Sequence, residues 1–369
     1  MKIAYLSNVR YPSERAHTLQ ITEMCRAFSK HNWEVTLFVN NRGTGDSQAA
    51  AVYFKTDISF ALQRLPEGLL IPGRDITYLI SEYIFATAFL LTKNRKKYDV
   101  YYSRHEWIVN FLSGFIPIER LVYESHEAKW NYPARRLLKK GIKTVVISDG
   151  IRDFYIEKGI PTGQLHVAYD AIDEMFFDKV EPKTVARQRL GLPQDKKIAM
   201  YIGGFDGWKG VETFFAAAAL APEVLFVAIG GSKENVLRYQ VLYPEVRFLG
   251  QQPYAALRDN QQAADILVIP NTAKTKISAL YTSPLKLFAH LTSGVPLVVS
   301  DVASLTSVTG RSDVTVSVPD SAEDLANKIS LVASDYAPAL KQAEELKKRS
   351  VRYTWTNRAM DIINFLNYA

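Results

Sequence analysis

Along the whole chain, short runs of Val, Ile, Leu and Tyr alternate with longer stretches whose apolar residues recur at helical spacing. In the first half the runs cover 2–7, 34–39, 98–103, 120–125, 143–148 and 164–169; in the second, 197–203, 224–230, 246–250, 265–270 and 296–300. Most are apolar throughout rather than alternating, as strands covered on both faces are. Strands spaced by helices make parallel βαβ units. The pattern thus predicts an α/β protein of two Rossmann-like, doubly wound parallel-sheet domains, and the halves open alike, Lys2-Ile3-Ala4-Tyr5 against Lys197-Ile198-Ala199-Met200-Tyr201. A polar stretch interrupted by Pro182, Gly191 and Pro193 reads as the linker. The expected domains are 1–178 and 179–350, followed by a closing segment 351–369. In that segment Trp355, Ala359, Ile362, Ile363 and Leu366 share one helix face and need an apolar partner.

Two apolar segments need a decision. Residues 76–92 carry Ser81, Glu82 and three threonines and precede a strand, so they read as a buried helix rather than a membrane span. Met1–Tyr5 enters a strand pattern directly, without the leader of an exported chain, which gives the expectation of a cytoplasmic protein. A length of 369 residues exceeds one comfortable core. The net charge of +7 divides evenly: residues 1–180 hold 24 basic and 20 acidic side chains, residues 181–369 hold 21 and 18. Neither half is a nucleic-acid arm, and a mild excess suits phosphorylated ligands or an anionic surface. Cys25, the single cysteine, lies in a helix pattern with Ile21, Met24 and Phe28 and reads as core.

In open α/β sheets ligands collect beyond the carboxyl ends of the strands, so the loops there are the informative ones. The loop Gly203-Gly204-Phe205-Asp206-Gly207-Trp208-Lys209-Gly210 combines close backbone approach with one cation, which suits a diphosphate. It fits neither the dinucleotide fingerprint nor the P-loop. A second candidate begins at Asn271, includes Lys274 and Lys276, and leads to Ser283-Pro284-Leu285-Lys286. Ser283 there reads as a helix N-cap with Pro284 at the first helical position, an anion-favouring helix start. His126 stands just past a strand in Val122-Tyr123-Glu124-Ser125-His126, and His105, read as ending the preceding strand, could share its rim, while His17 reads as lying on the loop that opens the first helix and His31 and His166 as surface or packing residues. No cluster of ligand-type residues has metal spacing, so neither metal nor cofactor is expected.

At these residues the chain resembles a family-four retaining glycosyltransferase of the GT-B fold over nearly its whole length. The Tyr201–Gly210 loop is similar to the family's donor loop. Asp170-Ala171-Ile172-Asp173 with Phe176 resembles the element that closes the first domain. Ser283-Pro284-Leu285-Lys286-Leu287-Phe288 resembles the donor motif of one subgroup, and Tyr353-Thr354-Trp355 with Arg358-Ala359 resembles the helix that crosses back. The resemblance implies two domains facing a cleft. It implies a metal-independent transfer of a hexose-type sugar with retention, from a nucleotide-sugar donor (UDP or GDP) to a glycan or lipid-linked acceptor in surface polysaccharide or glycolipid assembly. It implies catalytic roles for Lys209, on the leaving phosphates, and His126, on the transferred sugar. Gly203, Gly204, Lys209, Asn271, Ser283, Pro284, Leu285 and Lys286 would contact the donor.

Two departures qualify it. The family's arginine position is Gly204, and its two glutamates are replaced by Tyr281 and Ala289. They motivate the alternative of a non-catalytic nucleotide-sugar-binding protein; a GT-B epimerase is disfavoured because no carboxylate acid/base pair is assignable. The run Arg135-Arg136-Leu137-Leu138-Lys139-Lys140 reads as a solvated helix face, with peripheral docking on anionic lipid as its functional counterpart.

Overall fold

The computed structural model describes residues 1–13, 16–43, 45–54, 56–67, 75–93 and 95–367. The chain forms two compact units, one of Met1–Tyr169 with Trp355–Ala369, the other of Asp170–Thr354.

The first unit is built on a parallel sheet of β1 (Lys2–Ser7), β2 (Glu34–Asn40), β3 (Ala61–Leu65), β4 (Val100–Ser103), β5 (Leu121–Ser125), β6 (Lys143–Val146) and β7 (Leu165–Val167), in the order β3-β2-β1-β4-β5-β6-β7. The winding reverses beside β1, which pairs β2 on one edge and β4 on the other. Residues Ile3–Ser7 are all buried, as a central strand requires. The helix Ala16–Lys30 supplies Ile21, Met24, Cys25 and Phe28 to the core. The closing helix Trp355–Asn367 packs against it, and His31 Nε2 meets the Thr356 carbonyl at 2.8 Å. His166 stacks on Phe365 of the same closing helix, so both histidines are packing residues.

The sequence pattern missed β3, an edge strand whose alternation is broken by Gln63 and Arg64. Arg64 is held by the carbonyls of Tyr11, Asn40 and Gly45. The expected buried helix is Asp75–Leu90, but only one face is covered: Glu82, Phe85 and Phe89 are buried, whereas Ile76, Ile80 and Ile84 are exposed. Among the described residues no helix is long and apolar enough to cross a membrane.

The second unit carries β8 (Lys197–Ile202), β9 (Val224–Ile229), β10 (Val246–Gly250), β11 (Ile266–Ile269), β12 (Leu297–Ser300) and β13 (Thr315–Ser317), all parallel, in the order β10-β9-β8-β11-β12-β13. One face buries an aromatic cluster of Phe205, Phe214, Phe215, Phe226, Tyr239 and Phe248. The short edge strand β13 was also absent from the pattern reading.

The stretch read as a linker contains a packed helix, Lys183–Arg189. Its Arg187 is buried, donating to the Asp265 carboxylate at 2.6 Å and to the carbonyls of Ala263, Pro193, Gln194 and Lys196. Proline and charge there mark an anchored element, and the units part in sequence at Tyr169/Asp170 and Thr354/Trp355.

Candidate functional site

In the first unit β1, β4 and β5 end at Ser7, Ser103 and Ser125. A cavity of about 1150 Å³ opens there, lined among others by Ser7, Asn8, Arg104, His105, Glu106 and His126. Beneath it lies Glu124, fully buried in β5. Its carboxylate accepts from Gln20 Nε2 at 2.6 Å, from Arg358 at 3.2 Å, from the Tyr102 hydroxyl and from His126 Nε2 at 2.6 Å. Burial alone would raise the Glu124 pKa, but Arg358, His126 and Arg104 together hold it well below the usual range. A carboxylate accepts only, so His126 presents its Nε2–H to Glu124, and Nδ1 is left as the ring's acceptor. Burial and then Arg104 push His126 down to about 4 against the pull of Glu124, so the imidazole is neutral at physiological pH.

His105 is not at the end of β4; it occupies the N-cap position of the helix Glu106–Leu112. Its ring lies 3.1 Å from Ser7 Oγ and 3.2 Å from the buried Glu82 carboxylate, a second histidine–carboxylate pair lining the same cavity. His17 also lines it and lies within the first turn of the helix Ala16–Lys30.

In the second unit the β8 strand runs into the Gly203–Gly204 turn. Gly203 closes against β9: a Cβ on Gly230 (φ +124°) would sit 2.0 Å from the Gly203 carbonyl oxygen. The Tyr201 hydroxyl donates to the Gly204 carbonyl at 2.7 Å and accepts from Lys286 Nζ at 3.3 Å, with that ammonium 4.4 Å from the ring centroid. Lys209 Nζ pairs with Asp206 Oδ2 at 2.6 Å. It lies 2.8 Å from the point where a Gly204 Cβ would stand, so the lysine itself fills the space beside that glycine. Burial, then Lys209, lower the Lys286 pKa to about 7, with Asp206 opposing. Gly210 (φ +67°) presses on the loop after β11, where an added Cβ would meet the Pro270 carbonyl oxygen at 2.0 Å. Gly203, Gly204, Lys209 and Lys286 thus converge, and Asn271 adjoins them.

The remaining donor candidates have structural duties. Asn271 is buried and donates to the Ser278 carbonyl at 3.4 Å. Ser283 is not the helix N-cap: its hydroxyl accepts the Asp170 N–H at 2.8 Å, Pro284 takes the cap position with φ −77° and ψ 119°, and the helix runs Leu285–Leu291. Committed to the Asp170 backbone, the Ser283 oxygen does not cap the helix start. Lys274 and Lys276 are exposed on the loop that follows β11. Ala289 has no exposed surface, and Tyr281 lies half-buried in a π-turn, Ile277–Tyr281.

Sequence reasoning overlooked Glu124 as the partner of His126, and Gln20 and Arg104 as the groups that bond to one another beside it, Gln20 donating to Glu124. The available signal was a carboxylate one residue from the end of a short strand that is otherwise mostly apolar. In the basic helix Tyr132–Lys139, Arg135, Arg136 and Lys139 are exposed; Arg136 donates to Asn110 at 2.9 Å and the following Lys140 to Ser113.

Two parallel-sheet Rossmann-like units, with a closing helix returned to the first, are the GT-B architecture. The sucrose-phosphate synthase of Thermosynechococcus elongatus has this fold, with a TM-score of 0.78 at 20% identity over 99% of this chain and 98% of that one. So does Anabaena HepE in complex with UDP and glucose, with a TM-score of 0.75 at 15% identity over 100% of both chains. Residues 182–352 match the family model described as glycosyl transferases group 1, a segment inside the second unit that contains both the Gly203–Lys209 loop and Lys286. Similar curated proteins include a putative teichuronic acid biosynthesis glycosyltransferase, TuaC, of Bacillus subtilis (strain 168), 30% identical over 157 residues, 42% of this chain and 37% of that one. The uncharacterized glycosyltransferase MJ1607 of Methanocaldococcus jannaschii is 26% identical over 223 residues, 57% of this chain and 55% of that one. The matches thus span about half or less of these curated relatives' lengths.

Proposed function

We propose that this chain is a retaining, metal-independent glycosyltransferase that moves a hexose-type sugar from a nucleotide sugar to a glycan or lipid-linked acceptor in polysaccharide or glycolipid assembly. The carrying observation is the convergence of two lysines on a turn bare of side chains, within the segment that matches a glycosyltransferase family. The complexes of HepE with UDP and with UDP-glucose support a nucleoside diphosphate as the ligand class.

In this reading the second unit binds the donor. Backbone at Gly203–Gly204 approaches the diphosphate and Lys209 neutralises charge that grows as the sugar–phosphate bond breaks, an interaction stronger in the transition state than in the ground state. The remaining donor contacts come from Asn271 and the start of the helix Leu285–Leu291. The first unit's cavity takes the acceptor. His126, neutral and fixed by Glu124, offers a hydrogen-bond acceptor to the transferred sugar, while the leaving diphosphate takes the acceptor's proton. Exposed Arg135 and Lys139 support peripheral contact with anionic lipid at the cytoplasmic face. Liposome co-sedimentation unchanged by reversing both charges would remove that part.

The test is release of nucleoside diphosphate from a panel of UDP- and GDP-sugars supplied with glycan and lipid extracts. Turnover by the wild type that falls about a hundredfold or more in Lys209→Met and His126→Ala, with folding intact, is expected. The second reading, a binding protein without catalysis, is favoured by the loss of both family glutamates. Tight nucleotide-sugar binding with no turnover on any extract would establish it instead.

A further inference from the structure

The helix Asp75–Leu90 turns Phe85 and Phe89 into the core, but Ile76, Ile80 and Ile84 on its other side are 60%, 47% and 39% exposed, and Leu91 just beyond it is 77% exposed. Residues four apart lie one above the other on a helix, so these side chains form a single stripe. Tyr83 carries the stripe to the next helix, Glu106–Leu112, where its ring lies 5.9 Å from Trp107 and 5.2 Å from Phe111. Phe111 in turn meets the exposed Phe115. That helix packs against a third, Tyr132–Lys139, whose Tyr132 is exposed as well. A contiguous apolar patch with a polar rim marks an interaction surface.

The rim here is basic. Arg135, Arg136 and Lys139 are exposed on the third helix, and Lys93 and Arg95–Lys97 follow the first. None of the described exposed side chains on the three helices is a carboxylate. A second copy docked through the same face would bring two such rims together, and like charges across an interface repel. An anionic bilayer answers both halves of the pattern: apolar side chains enter the headgroup boundary while lysine and arginine stems keep their charges level with the phosphates. The helix Asp75–Leu90 also carries Tyr78, which lines the first unit's cavity beside His105, so a bilayer on this face lies near the cavity read as the acceptor's. We propose that the stripe Ile76, Ile80, Ile84 and Leu91, continued by Tyr83 and Phe115, inserts into the headgroup boundary of an anionic bilayer, with the basic rim steering it there. The proposal rests on the peripheral contact in the reading above and assigns its strength to apolar insertion in addition to charge.

Flotation with vesicles of phosphatidylcholine, with and without phosphatidylglycerol, at low and at high salt separates the two contributions. The wild type should float with the phosphatidylglycerol vesicles, and part of that binding should survive high salt, because apolar burial is not screened. Ile80→Gln with Ile84→Gln changes no charge and no buried residue, and should weaken binding about tenfold or more. Leu237→Gln with Val241→Gln alters an equally exposed apolar pair on the second unit's helix Lys233–Leu242 and should bind as the wild type does. Flotation that the Ile80 and Ile84 changes leave intact, or that high salt abolishes entirely, overturns insertion and leaves a charge-driven contact standing. No flotation with either vesicle removes the peripheral contact as well and leaves the transferase reading untouched. A wild-type dimer that the same double change dissociates, without vesicle binding, gives the face to a second copy and also overturns the proposal.

Discussion

Glu124 is a charge at a strand position that burial would ordinarily keep apolar, and its cost is met by four donors that converge on it. Breaking a buried ion pair by removing one partner typically costs about 3–5 kcal/mol, because the other charge is left uncompensated. Glu124→Gln should therefore destabilise the first unit by about that amount through Arg358, which denaturant unfolding would register; a loss under about 1 kcal/mol would contradict the network's role. The histidines set the acid limb. His126 and His290 have folded pKa values depressed to about 4 and about 3, mainly by burial. Below the ordinary histidine range the unfolded chain binds more protons than the folded one, so stability is fully present at neutral pH and falls as pH drops from about 6.5 toward 4. The melting temperature should follow that course, with a shallower slope in His290→Gln. His126 and Lys209 were legible as loop residues after strands. The Glu124–Arg358 pair was not, since no local spacing relates residues 234 positions apart.

The same contrast runs through the elements. Eleven strands could be read because they are apolar runs bounded by turn residues, whereas β3 and β13 are short edge strands with half-exposed or polar positions. Ser283 shows how a correct propensity misleads. Serine before proline is a strong N-cap signal, but the hydroxyl was committed to the Asp170 backbone, a partner remote in sequence. The proposed donor turn depends on a feature the sequence does show, glycine at a left-handed position. Gly210→Ala should lose about 1–3 kcal/mol of stability and weaken nucleotide binding, since its Cβ would sit 2.0 Å from the Pro270 carbonyl oxygen. Gly207→Ala, with open space around the added carbon, is the matched control and should leave both nearly unchanged.

At the scale of the molecule, the chain returns to its first unit at the end, and Arg358 is the most deeply buried of the polar contacts that hold the return. It donates to Glu124 and to the carbonyls of Ala168 and Tyr169, so the last helix completes the buried polar network that holds His126 at the first unit's cavity. Ending the chain at Thr354 should lower the first unit's unfolding transition and spare that of the second, which calorimetry would resolve as the selective loss of one transition. The pattern of strands and the apolar face of 355–366 made the two-unit plan readable. The burial of Arg358 on that face was not readable, because charge at a helix position ordinarily points to water. The donor nucleotide is expected to bind the second unit at the Gly203–Gly204 turn. A crystal structure with UDP tests it most directly. It should show diphosphate oxygens within hydrogen-bond distance of Lys209 Nζ and the turn's backbone; UDP bound in the first unit's cavity, with the lysine pair unengaged, would contradict it.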